Sequence, residues 1–272
     1  MAHHLIVVEG AHDAAFLGKL LRREKFSQIQ NLADVPEFWS ALIPSKYPVD
    51  PSGRLDRIIV FPDIYMSECL EHTLALSVAG SDKNLVKTMR AALEIKEVED
   101  FCTITIFTDT DFEVDEGARF NALHQNLSAL NAEAEAESQP GFPLVLPSKV
   151  GALAEGSPRV GIYLWPGAGQ QGTLENVLLD CAEITEPALK AASVKFIDSV
   201  HEEYPSECES IRKSRTSSGS LKAKCGGLAS VLKPGGSVAV SLRQSRWLPE
   251  NCHLPESANR ARDYLVSILA SS

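Results

Sequence analysis

The chain has 272 residues, 44% of them hydrophobic and 23% charged, with 26 Lys+Arg against 36 Asp+Glu and a net charge of −10. That length allows one elaborated domain or one domain with an appendage, and the composition is globular rather than disordered, collagen-like or coiled-coil. The negative balance argues against a general DNA-coating role, because non-specific affinity comes from cations set against phosphates. It leaves room for an enzyme that brings metal ions to phosphates, since such a site needs local carboxylates.

The longest apolar runs, such as Leu5 to Val8 and Ile104 to Phe107, fall far short of the ~20 residues of a membrane helix. A basic start followed by an apolar stretch and a small-residue cleavage site is missing, so no signal peptide is expected. Cysteines stand at 69, 102, 181, 208, 225 and 252 without a Cys-x-x-Cys. They read as reduced thiols of a cytoplasmic protein. Cys69 with His72 and Cys252 with His253 would make a zinc site only if folding joined them; scattered residues are the simpler reading.

In chain order, His4 to Val8 is an apolar, β-branched run suited to a buried parallel strand. It stops at Glu9-Gly10, and a helix follows with Phe16, Leu17, Leu20 and Leu21 on one face. Residues 31 to 58 read as loop with short elements, and Arg57 to Phe61 as a short strand. Leu74 to Val78 is a clearer strand; Ala79-Gly80-Ser81-Asp82 then turns the chain into a helix from Asn84 to Ile95. Phe101 to Phe107 is the strongest strand, ending in Thr108-Asp109-Thr110-Asp111, and a helix is expected from Gly117 to Leu130.

Residues 131 to 158, Ala/Glu-rich and then Pro/Gly-rich, are expected to form a surface excursion. Val160 to Trp165 is a strand, Gly167 to Gly172 a glycine-rich loop, and Thr173 to Leu179 the start of a helix. From Glu183 onward the chain reads as largely helical, with Lys213 to Ser220 its most mobile segment. Strands alternating with helices predict a mainly parallel α/β sheet with helices on both faces. The expected division is an α/β domain over 1–182 and a helical C-terminal extension over 183–272.

In such sheets ligands bind beyond the carboxyl ends of the strands. Acids stand there repeatedly. Glu9 ends the first strand, and Asp13 lies in the first turn of the next helix. Asp109 and Asp111 end the strongest strand, two apart, so an extended backbone would aim them the same way. Glu175 follows the last strand and its glycine loop. Each acid alone also reads as a helix cap or a first-turn charge. Together they are costly: two carboxylates ~5 Å apart repel by about 3 kcal/mol at an effective dielectric near 20. A divalent cation removes that cost, and an all-oxygen set favours Mg²⁺ or Mn²⁺, one ion or two.

Ile6-Val7-Val8-Glu9-Gly10-Ala11-His12-Asp13 resembles the first motif of the Toprim fold, and Phe107-Thr108-Asp109-Thr110-Asp111 its second. Leu74 to Asn84 resembles the intervening strand and glycine turn. Gly172-Thr173-Leu174-Glu175 resembles a third acidic motif of OLD-type nucleases and of small stand-alone Toprim-like proteins of undefined function. The likeness spans roughly residues 1 to 180 in short motifs. It implies a Toprim-like sheet that binds Mg²⁺ and acts on nucleic-acid phosphodiesters. Glu9 would be a ligand or general acid/base, Asp109 and Asp111 would hold metal, and Asp13 and Glu175 would complete a second position. The OLD type also uses a lysine after the third acid; Lys224 is preferred over Lys222 for that role.

The chain departs from the pattern in several ways. These 272 residues are not expected to hold a further domain with an active-site tyrosine, a zinc module or an ATPase domain. Gly167 to Thr173 imitates a phosphate loop without the lysine before Thr173. Substrate grip would fall to Lys213, Arg215, Lys222 and Lys224, or to Arg243 and Arg246 near Trp247, unless these are ordinary solvated faces. The leading expectation is a Mg²⁺-dependent nuclease or related phosphodiester-processing enzyme acting on DNA or RNA. The alternatives are a non-catalytic nucleic-acid-binding module or partner subunit to a separate ATPase, and an enzyme of small phosphate esters. Nothing in the sequence sets the oligomeric state.

Overall fold

The computed structural model describes residues 1–43, 61–248 and 253–270. β1 (Ala2–Val8) opens the chain and is buried from His4 to its end. α1 (Ala11–Arg23) follows, with Phe16, Leu17, Leu20 and Leu21 all buried. The Asp13 carboxylate turns back to accept the Gly10 N–H at 2.9 Å, satisfying a donor that a helix start otherwise leaves unpaired. β2 (Phe26–Gln28), the short α2 (Glu37–Ser40), β3 (Asp63–Ser67) and β4 (His72–Val78) come next. Then follow α3 (Leu85–Leu93), β5 (Thr103–Asp109), α4 (Glu116–Ala136) and β6 (Arg159–Trp165). The C-terminal part is helical: α5 (Leu174–Thr185), α6 (Pro187–Glu203), α7 (Ser217–Leu232), α8 (Val238–Gln244) and α9 (Glu256–Leu269).

The six strands form one sheet in the order β2-β3-β4-β1-β5-β6. β4, β1, β5 and β6 are parallel neighbours, while β2 and β3 join one edge antiparallel. β1 alternates between two apolar cores. Ile6 and Val8 face one formed with α1, α5 and helices α7 to α9. Leu5 and Val7 face the other, formed with Trp39 of α2 and residues of α3 and α4. The expected mixed α/β architecture, helices on both faces and a helical C-terminal part, is the architecture found. The helices beyond residue 183 share the sheet's core: Leu228, Leu242, Leu265 and Ile268 belong to the same cluster as Ile6.

Several boundaries differ from expectation. The expected strand at Arg57 to Phe61 lies outside the described residues but for Phe61, which is not in a strand. The edge is formed instead by β2 and β3, too short for a pattern of alternation to announce them. α4 continues to Ala136, so residues 131–136 are helix rather than excursion; their Ala/Glu composition is that of a good helix former. Asn131 then clamps the returning chain, accepting the Leu144 N–H at 2.9 Å and donating to the Leu144 carbonyl at 2.8 Å. Lys213 to Ser220, expected to be mobile, closes a 3₁₀ turn and opens α7, where the Thr216 hydroxyl accepts the Gly219 N–H. Among the described residues, no helix is long and apolar enough to cross a membrane.

Candidate functional site

Parallel pairing sets which residues meet. Val8 lies opposite Phe107, and Asp109 opposite Trp165. The residues after β1, β5 and β6 therefore leave the sheet at one rim. Helices α1 and α5 start there, each with an acid in its first turn: Asp13 in α1, Glu175 in α5. Carboxylates at helix N-termini are favoured by the helix dipole.

Each carboxylate is anchored by a donor from another element. Glu9 Oε2 accepts the Thr108 hydroxyl at 2.7 Å, bridging β1 to β5. Asp13 Oδ1 accepts the Trp165 indole N–H at 2.8 Å, while its other oxygen holds Gly10. Asp109 Oδ1 accepts the Leu174 N–H at 2.8 Å, tying β5 to the first turn of α5. Glu175 Oε1 stands 3.6 Å from His12 Nδ1. Its Oε2 and the Thr173 hydroxyl are buried, and neither makes a hydrogen bond of good geometry.

Burial and neighbouring charges act on three of the acids. Burial and the Glu9 and Glu175 charges push the Asp13 carboxyl up to about 7, against the Gly10 and Trp165 donors. Burial, then Asp13, Glu175 and Glu9, raise Asp109 well above the usual carboxylate range, against the Leu174 N–H. Burial would also raise Glu175, but His12, Thr173 and Lys222 together hold it below its ordinary value. Glu175 is thus kept ionised while Asp13 and Asp109 favour a proton, the pattern of crowded carboxylates.

Asp111 departs from the expected geometry. The strand ends at Asp109, and Asp111 has a left-handed backbone (φ 65°) where its N–H bonds the Gly172 carbonyl at 2.9 Å. The two-residue alternation that would align it with Asp109 therefore stops short of it. The two candidate lysines differ in their surroundings. Lys224 Nζ pairs with Asp198 of α6 at 2.9 Å. Lys222 is the residue that senses the acids: partial burial lowers its affinity for a proton, but Glu175, Asp109, Glu9 and Asp111 outweigh this and raise it. Two residues along a helix are ~200° around it, so the two lysines cannot share a face.

Three of the six basic groups named for substrate grip are engaged, Lys224 among them. Arg243 pairs with Asp63 at 2.5 Å, Arg215 donates to the Tyr204 carbonyl at 2.6 Å, and Trp247 is fully buried. Two functional candidates were not singled out in the sequence. His12 sits inside the first motif and contacts Glu175. Arg119, on α4, folds back onto the end of β5; no local pattern signals that return.

Cys69 is exposed and near Ser67, with 3.2 Å between Sγ and Oγ, and the His72 ring contacts His4. Cys252 lies outside the described residues. Among the described residues, no three His, Cys, Asp or Glu side chains are grouped so as to hold a metal ion. At the rim each of the four acids is engaged by a protein group. Their chemistry nonetheless suits a hard divalent cation: the donors are all oxygen, their charges oppose one another, and one buried oxygen of Glu175 makes no hydrogen bond of good geometry.

The model of a family described as "Protein of unknown function (DUF3226)" matches residues 3–218. The chain belongs to the DUF3226 family. The match spans every acid of the rim but ends before Lys222. No curated protein matches the chain. This DUF3226 protein is similar in structure to the hypothetical protein PH0156 from Pyrococcus horikoshii OT3. The TM-score is 0.51 at 16% identity, covering 99% of this chain and 94% of that one. That likeness concerns the fold.

Proposed function

We propose that this protein is a divalent-cation-dependent enzyme of nucleic-acid phosphodiesters, a nuclease of Toprim type. The observation that carries the reading is electrostatic. Acids from three separate stretches of chain stand at the ends of β1 and β5 and the starts of α1 and α5, where burial and neighbouring charges raise the proton affinity of Asp13 and Asp109, and the acids raise that of Lys222. Folding tolerates such crowding poorly unless a cation relieves it.

Glu9, Asp13, Asp109 and Glu175 would hold Mg²⁺ or Mn²⁺, with Asp111 at the margin. When bound, such an ion polarises a phosphate and lowers the proton affinity of a water. The chain's own residues do the rest. Thr108, Trp165 and the Leu174 N–H fix one oxygen each of Glu9, Asp13 and Asp109. Lys222 supplies positive charge against the developing phosphoryl oxyanion, the role the sequence assigned to Lys224. The five described cysteines are all free, which supports a reducing, cytoplasmic setting.

The test is cleavage of single- and double-stranded DNA and RNA with Mg²⁺, Mn²⁺ or chelator, by wild type and Asp109→Ala. The reading expects metal-dependent cleavage by wild type and none by the variant. One observation favours a second reading, a binding module or partner subunit to a separate ATPase: each of three acids already accepts a hydrogen bond from the protein. Under it, wild type binds nucleic acid or co-purifies with an ATPase and cleaves nothing.

A further inference from the structure

Arg119 donates three hydrogen bonds around the end of β5. Its Nε reaches the Asp109 carbonyl at 3.2 Å, its Nη2 the Thr108 hydroxyl at 3.1 Å and its Nη1 the Asp82 carboxylate at 3.2 Å. Its side chain is 16% exposed. Asp82 belongs to the turn after β4, so one guanidinium ties that turn, α4 and the acidic rim together.

The direction of these bonds follows from the groups themselves. A guanidinium has donors only. The Thr108 oxygen must therefore accept from Arg119, which leaves its single proton for Glu9 Oε2, 2.7 Å away. An ionised carboxylate can only accept, so the chain Arg119, Thr108, Glu9 has one polarity. Thr108 is fully buried, where a charge-assisted chain of this kind is stronger than at the surface. With Oε2 held, Oε1 is the oxygen of Glu9 left for a ligand.

We infer that Thr108 and Arg119 are positioning residues for Glu9: their relay fixes the carboxylate's orientation and so sets the affinity of the rim for a divalent cation. The inference rests on the reading that Glu9, Asp109 and their neighbours hold such an ion. It assigns the relay the part that outer partners of metal ligands play elsewhere, where their loss costs about 10- to 100-fold in metal affinity.

The experiment is Mn²⁺ binding by calorimetry to the full chain, with melting midpoints measured alongside, for wild type, Thr108→Ser, Thr108→Val, Arg119→Lys and Asp109→Ala. Thr108→Val keeps the shape and removes the hydroxyl; it should weaken Mn²⁺ binding about tenfold or more. Thr108→Ser restores the hydroxyl and should recover most of that loss, which a packing role would not explain. Arg119→Lys keeps the charge beside Asp82 but not the fork, and should fall between them; it carries the test if Thr108→Val does not fold. Wild-type affinity in both Thr108→Val and Arg119→Lys, with Asp109→Ala losing Mn²⁺, would overturn the relay alone. Wild-type affinity in Asp109→Ala, or no Mn²⁺ binding by wild type, would overturn the cation reading and the relay with it.

Discussion

The backbone N–H of Leu174 donates to Asp109 Oδ1 at 2.8 Å, so the last residue of β5 caps the first turn of α5. That bond anchors Asp109 while burial and three other acids raise its carboxyl. Substituting Asp109→Asn retains an oxygen for Leu174 and removes the charge.

This gives a signed pH prediction. Asp13 and Asp109 both bind protons more tightly in the folded chain, Asp13 moving from 3.8 to about 7. Asp13's contribution to stability is therefore present below about pH 4 and lost as pH rises through about 7, and Asp109's is lost in the same direction as pH rises through its raised value. Glu175 runs the other way, its contribution fading only as pH falls through its lowered value. In chelator, wild type should lose stability between pH 5 and 8. Asp109→Asn should be more stable than wild type at pH 8 and similar to it at pH 4. Chemical denaturation at the two pH values checks this; a less stable Asp109→Asn at pH 8 would contradict it.

The two lysines separate cleanly. Lys222 senses four rim acids, whereas Lys224 is paired with Asp198. Lys222→Gln should reduce metal-dependent cleavage by at least about tenfold through lost oxyanion stabilisation. Lys224→Gln should stay within about twofold, since a single ion pair of this kind contributes little. Rates measured under single-turnover conditions would show the reverse order if the sequence-based preference for Lys224 were right.

What the sequence reveals of this site follows from what is local. Glu9, Asp13, Asp109 and Glu175 can be found because strand ends and first helical turns leave patterns a few residues long. Which lysine faces them is a matter of helix rotation, and spacing after the third acid cannot settle it. Arg119 is invisible to such patterns because it depends on α4 returning to the end of β5. The central strands β1, β4, β5 and β6 are legible as apolar runs, whereas β2 and β3 depend on tertiary pairing. The basic groups near Trp247 look like a nucleic-acid grip in sequence, but folding sinks Trp247 into the core and pairs Arg243 with Asp63.

The C-terminal helices are part of the sheet's core, and Gly161 tests this. A methyl group there would collide with the Tyr264 hydroxyl of α9 and crowd Leu153. Gly161→Ala should cost roughly 1 to 3 kcal/mol by overpacking. The Tyr264 hydroxyl is itself buried without a partner, so Tyr264→Phe alone should be neutral or stabilising. The double variant should recover part of the Gly161→Ala loss, because the sites are in contact. Strict additivity in thermal unfolding would contradict this packing of α9 on β6.

The most direct measurement is a crystal structure of the protein soaked in Mn²⁺, read from its anomalous scattering. The account predicts one or two peaks at the rim, within ligand distance of Glu9, Asp109 and Glu175. A saturating soak that leaves the rim without a peak, with those carboxylates still held by Thr108, Leu174 and His12, would contradict it.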